Sequence, residues 1–67
     1  MIDIFINGER KSIDAAASLA AVLIENDFNC SRIAAAVNSE FVARGNYEKV
    51  FLKMNDKIDV VAPVAGG

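Results

Sequence analysis

Histidine is absent from this 67-residue chain, and cysteine occurs once, at Cys30. Those two shortages remove disulfide frameworks, cysteine-rich zinc sites and ordinary iron–sulfur clusters. They also remove any histidine-based catalytic triad. Positive charge is scarce too. Seven Lys and Arg stand against nine Asp and Glu, a formal net charge of −2. The basic residues are scattered, from Arg10 and Lys11 through Arg32 and Arg44 to Lys49, Lys53 and Lys57. No basic footprint for nucleic acid results. There is no run of 18 apolar residues, so no helical membrane span is expected. A charged segment followed by an apolar one is missing at the start, so no signal peptide is expected. The length leaves room for one small core. The expectation is a soluble, cytoplasmic domain, poorly equipped to be an enzyme alone.

Apolar residues, in contrast, make up 54% of the chain, and their spacing is informative. Ile2, Ile4 and Ile6 alternate with Asp3 and Phe5, the pattern of a half-buried strand with the isoleucines inward. Asn7-Gly8 is a favoured pair for a two-residue hairpin turn. Residues 9–13 then form a mostly polar return strand suited to a sheet edge. Ser18 is a good N-cap, and Leu19, Val22 and Leu23 lie on one helical face. Ile24 points off that face, Phe28 folds back onto the core, and the helix is expected to end near residues 26–29. Residues 33–37 are apolar. Three alanines would also suit a helix, but five residues between polar breakers favour a buried strand. A turn over Asn38, Ser39 and Glu40 precedes a brief strand at Phe41 and Val42. Arg44 to Asn46 reads as a loop, and Val50 to Leu52 as apolar residues under a turn or 3₁₀ segment. Asn55-Asp56 marks a turn before the last strand, Lys57 to Val61, with Ile58 and Val60 on one side and Asp59 and Val61 on the other. Pro63 ends regular pairing because it has no backbone donor.

Strand, strand, helix, strand, strand, strand predicts an α+β fold with one main helix on one face of a mixed sheet. The β-grasp architecture fits that order, with the first and last strands parallel in the middle. Residues 1–63 form the domain, and residues 64–67 are expected to be a flexible tail.

The Gly66-Gly67 pair follows an apolar strand with almost no spacer. A frayed end is the plain explanation. The chemical one is that two residues without Cβ can thread a narrow channel in conformations closed to others. Their terminal carboxylate is free of side-chain bulk. A partner could convert it to an acyl adenylate with ATP, using Mg²⁺ and basic groups to stabilise phosphate charge. A sulfur or amine nucleophile could then attack the Gly67 carbonyl.

On these features the chain resembles the ThiS family, the sulfur carrier proteins of thiamin biosynthesis. The resemblance runs through the first strand ending at Asn7, Ser18 before the helix, and Ala36-Val37-Asn38. It continues through Val42, Arg44 and Tyr47, Asp56, the Ile58 to Val61 strand, and Val64-Ala65-Gly66-Gly67. It implies a ubiquitin-like carrier with no catalysis of its own. An adenylating enzyme of the ubiquitin-activating type would use ATP and Mg²⁺ to activate Gly67. Sulfur originating from cysteine would replace the adenylate and leave a thiocarboxylate, and thiazole synthase would take that sulfur. Val64, Ala65 and Gly66 would thread into the partner. Pro63 at the tail base and Ala43 before Arg44 depart from the family pattern. A molybdopterin-synthase small subunit and a ubiquitin-like protein modifier share the tail and remain alternatives, as does a plain interaction domain.

Cys30 has no second thiol or histidine beside it and reads as a bystander. Arg44 reads as a loop residue and Tyr47 as an anchor at the edge of the core. Alternation places Phe5 and Val61 on the sheet face away from the helix. Because the first and last strands are neighbours, the two are expected close together, as a partner docking patch.

Overall fold

The alternating isoleucines do form the first strand, β1 (Ile2–Ile6), in the computed structural model, which describes residues 1–62. Asn7 and Gly8 both take positive φ, 50° and 86°, the combination of a type I′ turn. That turn twists in the sense of the flanking strands. It returns the chain as β2 (Glu9–Ile13), antiparallel to β1.

The helix α1 (Leu19–Glu25) is only seven residues long, too short to stand by its own hydrogen bonds. Its end is secured from three directions. Ser18 Oγ accepts from Ala21 N–H at 3.2 Å. The Leu19 and Ala20 N–H groups donate to the carbonyls of Val50 and Tyr47 at 2.7 and 2.9 Å. The orphan donors of the first turn are thus satisfied by the cap and by a distant segment. Its inward face buries Leu19, Val22 and Leu23 against Ile4, Ile6, Ile13 and Ile58. Ile24 is exposed, and Phe28 packs partly buried against the core.

The alanine-rich segment is extended, as β3 (Ala34–Val37), with Ile33 buried just before it. A second two-residue turn with positive φ, at Asn38 and Ser39, leads into β4 (Glu40–Val42). Glu40 therefore belongs to the strand rather than to the turn. Arg44–Asn46 is a single 3₁₀ turn instead of a loop. That 3₁₀ turn and the turn after it, closed by the Lys49 N–H donating to Asn46 O at 2.9 Å, lead directly into Val50 to Leu52, and Val50 packs partly buried against the core. Leu52 is buried there, while Phe51 makes an isolated bridge to Ser18 and stays 58% exposed.

The last strand, β5 (Lys57–Val61), takes the centre of a five-stranded sheet of order β2-β1-β5-β3-β4. It runs parallel to β1 and antiparallel to β3. One helix on one face of this mixed sheet is the expected α+β, β-grasp arrangement. Pro63 and the tail residues Val64, Ala65, Gly66 and Gly67 lie outside the described residues.

Candidate functional site

Two features converge on the end of β5: the sheet face that the helix leaves uncovered, and the short span that leads to the C-terminus. Register determines what the open face presents. Phe5 is paired with Arg10 on β2 and with Lys57 on β5. The Arg10 guanidinium lies 6.0 Å from the centre of the Phe5 ring, at the outer limit of a cation–π contact. A shallow cavity of about 290 Å³ opens beside the ring, with Asn38, Lys57 and Asp59 among its walls. This half of the face combines a half-buried aromatic ring with mixed charge.

Val61 belongs to the other half. It is paired with Ala34, and Ala36 is flanked by Asp59 and Phe41. The expected adjacency of Phe5 and Val61 is therefore corrected. Both lie on the open face, as alternation required. Phe5, however, faces Lys57, and four further residues of strand separate Val61 from that point, about 13 Å. Val61 shares its half of the face with Phe41 instead. Phe41 is 75% exposed and Val61 55%, and the alanines between them are too short to rise above either. Phe41 was not foreseen as a surface anchor, because a three-residue strand shows too little alternation to assign its face. Its signal was nevertheless present, as a large aromatic directly after the polar run Asn38-Ser39-Glu40.

The strand that carries Val61 is held at both ends by turn asparagines. Asn38 Oδ1 accepts from Lys57 N–H at 3.0 Å, and its Nδ2 donates to Asp56 Oδ1 at 3.0 Å. Asp56 Oδ2 in turn accepts from Lys53 N–H at 2.8 Å. At the other end, Asn7 Oδ1 accepts from Val60 N–H at 2.8 Å. Such side-chain carbonyls continue a ladder where backbone partners run out.

The other residues singled out in the sequence take the following places. Tyr47 is 3% exposed, and its Oη accepts from Ala35 N–H at 3.1 Å, which makes it the anchor that ties the β4–α1 side to β3. Cys30 is half-buried against the core. Arg44 opens the 3₁₀ turn and is exposed. Among the described residues, no three His, Cys, Asp or Glu side chains gather to hold a metal ion. No helix among them is long and apolar enough to cross a membrane.

Comparison with known proteins gives one family. The model of the ThiS family matches residues 4–67. A protein named ycf40, from Trieres chinensis, is 35% identical over 63 residues, covering 94% of this chain and 86% of its own. A thiazole synthase from Paramagnetospirillum magneticum is 32% identical over 62 residues, 92% of this chain but 19% of that enzyme. The chain thus spans about a fifth of the length of the thiazole synthases it matches, 19% and 20%. The crystal structure of the thiamine biosynthesis protein ThiS from Geobacter metallireducens superposes with a TM-score of 0.82 at 17% identity, covering 98% of this chain and all of that one. At that identity the likeness is one of fold.

Proposed function

The chain belongs to the ThiS family of sulfur carrier proteins, and from that premise we propose that Gly67 is the residue on which the sulfur rides. An adenylating partner of the ubiquitin-activating type binds the domain and draws Val64, Ala65 and Gly66 into its channel. The Gly67 carboxylate attacks the α-phosphorus of ATP and pyrophosphate leaves. The mixed anhydride turns a poor electrophile into a good one. Sulfur originating from cysteine then takes the place of AMP, which departs with one former carboxylate oxygen, and a thiocarboxylate remains. Thiazole synthase is the acceptor. Mg²⁺ and ATP belong to the adenylating partner, and this chain supplies an acyl group and a docking surface.

The observation that carries the reading is the extent of the family match, which runs through the Gly66-Gly67 end. Local similarity to two proteins named thiazole synthase favours thiazole formation as the destination of the sulfur. On the domain itself, the open sheet face supplies the docking surface. Phe5 anchors one half of it, and Val61 with Phe41 the other. Exposed apolar groups on an uncovered face gain most from a partner that removes them from water.

Intact-mass analysis of the chain recovered from its native host tests the carrier role. A species with one oxygen replaced by sulfur, localised to Gly67 by fragmentation, is the expected result. A population wholly in the carboxylate form, even after incubation with the adenylating enzyme, ATP and a sulfur donor, would overturn it. Mass additions on other proteins, with this chain attached to their lysines, would replace it with the modifier reading.

A further inference from the structure

β5 outlasts its neighbour β1. Within the β1–β5 ladder, Phe5 faces Lys57 and Ile6 faces Ile58. The Phe5 N–H donates to Asp56 O, and the Asn7 N–H donates to Ile58 O, both at 2.9 Å. At Asn7 the backbone turns left-handed, φ 50°, and leaves for β2 through Gly8. On this side of β5 the next donor is the Val60 N–H. The backbone of β1 has by then moved away, and the Asn7 side chain takes its place through Oδ1, at 2.8 Å. On the opposite side Val60 and Val61 face Ala35 and Ala34 of β3. Asn7 therefore holds the final stretch of β5 from the side that would otherwise be open.

We propose that Asn7 is a positioning residue for the chemistry at the C-terminus. Its side-chain carbonyl fixes the direction in which the chain leaves the sheet. The inference rests on the sulfur-carrier reading above. Docking of the open face fixes the domain on its partner, but the reacting carboxyl group is seven residues beyond Val60. Seven residues span at most about 25 Å when fully extended, so the position of the base sets the volume within which the far end can move. A misplacement of only about 1 Å can cost on the order of 100-fold in a positioned reaction. Pinning the base narrows the volume that the terminus must search after docking. The cost falls on the adenylation step and not on docking, because the Asn7 side chain is spent on β5.

Two substitutions separate the acceptor from the turn. Asn7→Gly and Asn7→Asp both suit a type I′ turn followed by glycine. Only Asn7→Asp keeps an oxygen for the Val60 N–H. Amide hydrogen exchange is measured on the isolated chain, and ATP–pyrophosphate exchange with the adenylating enzyme at varied chain concentration. In Asn7→Gly the Val60 amide should exchange at least about fivefold faster, the loss of one ordinary hydrogen bond. The kcat of adenylation should fall about tenfold, with KM for the chain changed by less than about twofold. Asn7→Asp should restore both. Unchanged Val60 exchange in Asn7→Gly overturns the clamp. Faster exchange with unchanged kcat, or a rise in KM alone, overturns the positioning role. Wild-type chain inert in pyrophosphate exchange overturns the carrier reading and the positioning role together, a result distinct from equal activity of wild type and variant. Should Asn7→Gly melt below the assay temperature, the unaltered protein still decides. A scalar coupling across the hydrogen bond, from the Val60 nitrogen to the Asn7 side-chain carbonyl carbon, is expected, and its absence refutes the contact.

Discussion

Replacing Phe41 with threonine removes the most exposed aromatic ring among the described residues while keeping a side chain suited to a strand. A phenylalanine offers roughly 200 Å² of surface, and 75% of this one remains in water. About 150 Å² is therefore available to a partner, an upper limit of 3–4 kcal/mol at ~25 cal/mol per Å². Threonine retains part of that contact, which leaves a loss of about 2 kcal/mol, the size of an interface anchor. Docking to the adenylating enzyme should weaken about 30-fold. The same ring contributes little to the fold, since only a quarter of it is covered, so the melting temperature should move by only a few degrees. Calorimetric titration of the two proteins measures the first quantity and a thermal melt the second. Ile24→Thr is the control. Ile24 is comparably exposed, on the helix side, and its loss should leave affinity unchanged. Undiminished affinity in Phe41→Thr, or an equal loss in Ile24→Thr, would refute the assignment of the docking face.

Deleting Gly67 should abolish pyrophosphate exchange, because Gly66 then ends the chain about 3.3–3.6 Å short. It should leave the melting temperature unchanged, since the buried core of the described residues ends at Ile58; undiminished exchange would sink the terminal-glycine mechanism. Phe5→Ala and Val61→Asp should each raise the dissociation constant for the adenylating enzyme at least tenfold, about 1.4 kcal/mol, and an unchanged constant removes that residue from the face. Tyr47→Phe removes the buried hydroxyl that accepts from the Ala35 N–H and should cost about 0.5–1.5 kcal/mol in urea denaturation, the worth of one ordinary hydrogen bond, with pyrophosphate exchange intact; an unchanged midpoint would show that the hydroxyl is not needed there. Ser18→Ala removes the helix cap and should cost about 1 kcal/mol, a drop of roughly 4–8 °C in a domain of this size, read by thermal melting.

What could be read from the sequence was whatever depends on near neighbours along the chain. Ile4, Ile6 and Ile58 announced which side of each strand faces the helix, and Asn7-Gly8 announced its hairpin. Ser18 marked the start of α1 one residue before Leu19. Offsets between distant strands carry no comparable signal. Alternation assigned Phe5 and Val61 to the open face, but the stagger of β5 against β1 depends on side-chain packing between segments about 50 residues apart. Phe5 consequently meets Lys57, while Val61 lies beside Ala34. The same limit hid the second use of the turn asparagines. Asn7 and Asn38 were legible as turn formers, yet their hydrogen bonds to Val60 and Lys57 follow from where β5 settles. Phe51 was placed inside because apolar triplets usually pack, and its bridge to Ser18 turned it outward instead.

The central position of β5 also governs the order in which the molecule can come into being. Until Lys57–Val61 has left the ribosome, β1–β2 and β3–β4 are separate hairpins, and a two-stranded hairpin is marginal in water. Joining them requires Ile6 to meet Ile58, a closure across most of the chain, and such distant pairings slow folding. Pulse-labelled refolding should accordingly show the amides of Ile4 and Ala35 gaining protection in one phase, and early protection of either hairpin alone would contradict that order. The strand that completes the sheet is also the one that runs on toward Gly67. A chain still unfolded, or stalled with two loose hairpins, has no seated base for its terminus and no assembled docking face. On the sulfur-carrier reading proposed above, folding would thereby act as a licensing step, since an activating partner that needs both features would adenylate only finished molecules.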